Sequence, residues 1–77
     1  MMSGKIDMIL DFGDFILVKL RLKSNVECWR RLENRGKVKV GDTISWKMFR
    51  GYSSSGECIG YCKPANHLII PPEYLEG

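Results

Sequence analysis

The stretch Ser24-Asn25-Val26-Glu27-Cys28-Trp29-Arg30-Arg31-Leu32-Glu33-Asn34-Arg35-Gly36 decides between two folds for this 77-residue chain. Read as a helix, Ser24-Asn25-Val26-Glu27 matches a capping box, in which a hydroxyl and a carboxylate satisfy each other's orphan amides. Gly36 then suits the left-handed position after the last turn. At about 100° per residue, Val26, Cys28, Trp29 and Leu32 share one arc, with Glu27, Arg30, Arg31 and Arg35 opposite. Glu27 and Arg31 are spaced for an i,i+4 ion pair. Read as a strand, Lys23-Ser24-Asn25 becomes a hairpin turn that sets Leu20 opposite Cys28 and Arg21 opposite Glu27. That register points Arg30 inward. The agreement of both caps with the periodicity favours the helix.

The segments on either side read as β. Phe15 to Leu22 places Ile16, Val18, Leu20 and Leu22 on one face and Lys19 and Arg21 on the other, the period of a half-buried strand. Phe15 and Leu17 break the polarity of its outer face. Before it, Ile6 to Leu10 is a short strand closed by the turn-prone Asp11-Phe12-Gly13-Asp14. After residue 36, Val38, Val40, Ile44, Trp46 and Met48 alternate with Lys37, Lys39, Ser45 and Lys47 up to Phe49, interrupted at Gly41-Asp42. Residues 51–56 read as a flexible loop from their Gly and Ser content. Glu57 to Cys62 is a further strand, and His67 to Ile70 a last one before Pro71-Pro72 ends regular pairing. Residues 1–77 form a single small domain with a C-terminal tail over 71–77. The expected class is α+β and mostly β: a small, partly closed β-barrel of about five strands with one short helix.

Val38-Lys39-Val40-Gly41-Asp42-Thr43-Ile44, an apolar-x-apolar-Gly-Asp-x-Ile segment entering a strand, resembles one found in small nucleic-acid-associated barrels of the PUA-like and ASCH type. Val18-Lys19-Leu20-Arg21-Leu22 is similar to the strand that precedes it in ASCH-type proteins. The resemblance spans residues 16–48 and implies a small barrel. The Gly-x-Lys-x-x-Glu-x-Arg signature of ASCH-type domains is missing, so their hydrolytic activity is not implied for this chain.

Composition narrows the functional classes. Twelve Lys and Arg against nine Asp and Glu give a net charge of +3, and 44% of residues are hydrophobic. No apolar run approaches the roughly 20 residues of a spanning helix. An acid, Asp7, stands where a signal peptide would need its apolar stretch, so a cytoplasmic location with no membrane partner is expected. Three cysteines suit a reducing compartment better than a disulfide scaffold. The basic residues crowd the middle of the chain: Lys19, Arg21, Lys23, Arg30, Arg31, Arg35, Lys37, Lys39, Lys47 and Arg50, between acidic flanks.

Catalytic and metal constellations are weak. Cys28, Cys58, Cys62 and His67 could supply four soft zinc ligands. On an extended strand, however, positions 58 and 62 lie about 13 Å apart, which suits buried structural thiols. Cys58 or Cys62 with His67 and Asn66 contains the residue types of a thiol nucleophile, but no motif joins them. The Gly51 to Gly56 loop lacks the Gly-Lys-Ser/Thr ending of a phosphate-binding loop. No enzyme, metal or cofactor is expected.

The basic surface carries the expectation instead. With Lys19 and Arg21 on one outward face and Lys37, Lys39 and Lys47 on another, neighbouring strands would gather cations for phosphate contacts. Phe49 and Tyr52, beside Arg50, would add rings on which bases stack. The expected function is a non-catalytic nucleic-acid-binding module for RNA or single-stranded DNA, using these residues. The alternative is a small phage-type adaptor or inhibitor that binds a single protein partner through Phe15, Leu17, Phe49 and Tyr52. A homodimer, with Pro71 to Leu75 as an arm, is compatible with either.

Overall fold

The computed structural model describes residues 1–65 and 69–74. Its strands are β1 (Met2–Asp11), β2 (Phe15–Arg21), β3 (Glu27–Glu33), β4 (Thr43–Lys47), β5 (Arg50–Tyr52) and β6 (Cys58–Pro64). They close into a barrel in the order β1-β2-β3-β6-β5-β4, and each neighbouring pair is antiparallel. The barrel is therefore two three-stranded meanders, β1-β2-β3 and β4-β5-β6. They join along one seam between β1 and β4 and another between β3 and β6. The small, mostly β barrel expected from the alternation is present, but it is fully closed and has six strands rather than about five.

Residues 24–36 are not a helix. Ser24 and Asn25 sit at φ 64° and 59°, left-handed conformations that end a right-handed helix before it starts. Asn tolerates this region and Ser enters it within a short 3-10 turn over Lys23–Asn25. The chain then returns as β3, with Leu20 opposite Cys28 and Arg21 opposite Glu27. A strand flanked by β2 and β6 satisfies its backbone on both sides, whereas a helix this short is marginal by itself. Tertiary pairing outweighs the local capping signal.

The interior is filled by Ile6, Ile16, Val18, Leu20, Leu32, Ile44, Trp46, Ile59 and Cys62. Two irregularities keep the walls in phase. In β1 the pairing shifts between Ile6 and Met8, so that Asp7 is the extra residue and both Ile6 and Ile9 pack on the core. In β6 the pairing with β5 skips Ile59, next to Gly60 at φ 94°, and both Ile59 and Cys62 then face inward. Gly51 on β5 is buried where the barrel is narrow: a Cβ there would lie 3.1 Å from both the Cys62 Cβ and the Ile59 Cγ1.

Other expected boundaries shift for identifiable reasons. Lys37 to Val40 join no strand. Gly41, at φ 97°, folds this segment onto β1, where the Gly41 N–H donates to Ile6 O and the Ile6 N–H to Asp42 O, each at 2.9 Å. Within the loop expected over 51–56, Gly51 and Tyr52 belong to β5. The turn proper is closed by the Ser53 N–H donating to Glu57 O at 2.8 Å. Of the last strand expected over His67 to Ile70, His67 and Leu68 lie outside the described residues, while Ile69 and Ile70 form a turn. Within the 71–77 tail, Pro72–Tyr74 is a 3-10 turn whose Tyr74 ring meets Trp29 edge-on, with centroids 6.5 Å apart. That contact lays Pro72–Tyr74 on the outer face of β3. Leu17, expected on an exposed face, is fully buried although it stands outside the interior cluster.

Candidate nucleic-acid interface

The cations expected on one basic face are not gathered on one face. β1 lies between β2 and β4, which separates Lys19 and Arg21 from Lys47. Acids also take several of them. Lys19 pairs with Glu27 at 3.4 Å, Arg21 with Asp7 at 3.2 Å, and Lys37 with Glu57. Arg35 pairs with Glu33. Arg31 lies over the Phe15 ring, 4.0 Å from its centroid, and Arg30 points inward. Among the described residues, Lys39, Lys47 and Arg50 are the expected site cations outside these ion pairs.

Lys47 and Arg50 are placed together by the β4–β5 hairpin, where they pair directly. The turn between them is Met48-Phe49. Met48 adopts φ 56°, a left-handed conformation rarely held by a residue with a side chain. Its side chain is 80% exposed and that of Phe49 58% exposed. On β5, Gly51 faces the interior, so strand alternation turns Arg50 and Tyr52 outward. Lys47, Met48, Phe49, Arg50 and Tyr52 line an open groove of about 420 Å³.

β6 extends this wall with two residues that were not expected at the site. Tyr61 stands opposite Arg50, and the Lys63 ammonium lies 5.1 Å from the Tyr61 ring centroid. Lys63 in turn pairs with Arg31 across the β3–β6 seam. Tyr61 and Lys63 occupy alternate positions of one strand, a period-two signal visible in Glu57 to Lys63. The wall thus interleaves Phe49, Tyr52 and Tyr61 with Lys47, Arg50 and Lys63. Such an arrangement can contact phosphates and stack planar rings.

The three thiols differ in burial. Cys58 is exposed, whereas Cys62 is buried in the core. Burial pushes the Cys62 thiol up to about 11, against the lowering pull of Arg30. Burial also raises Cys28, opposed by the charge and hydrogen bond of Arg30. A raised thiol holds its proton at neutral pH and is a poor nucleophile. The zinc and thiol sets both call on His67, which lies outside the described residues. No protein-family model matches this chain, and no curated protein or solved structure matches it.

Proposed function

We propose that the barrel is a non-catalytic, cytoplasmic binding module for single-stranded nucleic acid, RNA or single-stranded DNA. The observation that carries this reading is the Arg50–Tyr61 pair at the centre of a wall that also bears Lys47, Phe49, Tyr52 and Lys63. Rings supply sequence-tolerant stacking for unpaired bases, and flanking cations track the phosphates. The resemblance of residues 16–48 to small nucleic-acid-associated barrels is in keeping with it. Lys47, Arg50 and Lys63 replace the wider basic face expected from sequence; Lys19, Arg21 and Lys37 are held by acids.

The test is a titration of a fluorescent mixed-sequence single strand. Three phosphate contacts release about 0.7 counterion each, so a fourfold rise in salt should weaken binding roughly 18-fold. Phe49→Ala and Tyr61→Ala should each cost about 1–3 kcal/mol of binding if the rings stack bases. No binding at about 50 mM salt would refute the reading. A shallow salt response dominated by one apolar side chain would favour the alternative, an adaptor or inhibitor of one protein partner.

A further inference from the structure

We propose that this chain associates head to tail with further copies of itself, the β4–β5 turn of one copy seated against the β1–β2 turn of the next. The two turns lie at opposite ends of the barrel. β4 runs antiparallel to β1 with Trp46 opposite Met2, so the β4–β5 turn flanks the start of β1, and the β1–β2 turn follows its end.

Their side chains are complementary. The β4–β5 turn reads Lys47-Met48-Phe49-Arg50, two exposed apolar residues between two cations. The β1–β2 turn reads Asp11-Phe12-Gly13-Asp14, with a 44% exposed ring between two exposed acids. Among the described residues neither acid is held in an ion pair, and neither Lys47 nor Arg50 is. The acidic turn is held in shape before any partner arrives: Asp11 Oδ1 accepts hydrogen bonds from the Gly13 N–H at 2.8 Å and from Asn34 Nδ2 at 3.0 Å. Phe12 is also stacked on Phe15, with centroids 5.1 Å apart. Lys23, Met2 and Val26 are further exposed groups at the basic end.

Two basic ends repel each other, as do two acidic ends, which disfavours a symmetric dimer through either one. A basic end against an acidic end attracts and buries apolar side chains. Such a contact is heterologous and leaves a fresh end on each copy, so the assembly grows as a chain. The six strands close into a barrel, and the contact is made by side chains at the turns. This inference is independent of nucleic-acid binding, although Lys47 and Arg50 belong to both surfaces and a bound strand would compete with the contact.

Sedimentation velocity of the full chain without nucleic acid tests it. The mass should rise above the 8.8 kDa monomer with concentration at about 20 mM salt and return toward it at about 500 mM. Asp11→Lys with Asp14→Lys gives a chain basic at both ends, and Lys47→Glu with Arg50→Glu gives one acidic at both ends. Each should be monomeric alone, and an equimolar mixture should associate again. Recovery in the mixture also shows that both variants fold. A wild type that stays monomeric at every concentration, or variants that associate alone as well as the wild type, would overturn the proposal. So would a mixture that fails to associate while the wild type does.

Discussion

Arg30 offers the sharpest test of the barrel interior. Its guanidinium lies 5.0 Å from the Trp46 ring centroid, and Nη1 donates a hydrogen bond to Cys62 O at 3.2 Å. It thereby ties β3 to β4 across the barrel and to the β6 backbone. A hydrogen bond involving a charged group contributes about 1.5–3 kcal/mol. A partly desolvated cation–π contact contributes about 0.5–2 kcal/mol. Allowing for overlap between the two, Arg30→Ala should cost roughly 2–4 kcal/mol. A domain of this length has about 4–12 kcal/mol in total, so the loss is a large share of it. The melting temperature should fall by about 10–25 °C. Arg30→Met, which keeps the apolar stem, should lose about half as much. Urea unfolding followed by tryptophan fluorescence reads these values, and a cycle with Trp46→Phe isolates the ring contact. The penalty should persist at about 1 M salt, because a part-buried pair is weakly screened. A melting temperature for Arg30→Ala within about 2 °C of the parent would refute the inward placement of Arg30.

Further outcomes follow from the same interior. Trp46→Ala removes a side chain that is 2% exposed and should cost about 3–5 kcal/mol by chemical denaturation. Gly51→Ala drives a methyl group within 3.1 Å of two core side chains and should cost about 1–3 kcal/mol; an unchanged melting temperature would show that the wall gives way there. The Cys62 thiol is raised in the folded chain, so its contribution to stability is intact below the unfolded thiol range and is lost as pH rises toward about 11. Cys62→Ala should flatten that alkaline limb in a pH series of unfolding curves. Thiol labelling near neutral pH should reach exposed Cys58 first and Cys62 only on unfolding.

β2 was legible in the sequence because Ile16, Val18 and Leu20 keep a strict period of two and need no distant partner to be recognised. β3 was not, because Ser24, Glu27 and Gly36 imitate helix ends that a local reading weighs heavily. What settles residues 27–33 is remote: β2 and β6 on either side, and Trp46 as a companion for an inward Arg30. The candidate site divides in the same way. Lys47, Phe49, Arg50 and Tyr52 could be named from the chain because a single hairpin presents them. Tyr61 joins them only through its pairing with Arg50. Conversely, Lys19, Arg21 and Lys37 look available in the sequence, and only the folded chain brings Glu27, Asp7 and Glu57 to them.

The division of the barrel into two meanders has a kinetic consequence. Each meander is a run of local hairpins that can form quickly, but neither covers its apolar face alone. The seams pair residues far apart in sequence, Met2 with Trp46 and Leu32 with Cys62, so their loop-closure entropy is met late in folding. Until then each half carries two unpaired edges. The only covalent link between the halves is the connection from Glu33 to Thr43. At high concentration a half can find its complement on another copy before its own. The product of such an encounter would be a domain-swapped dimer that reuses both native seams, with the 34–42 connection as its hinge.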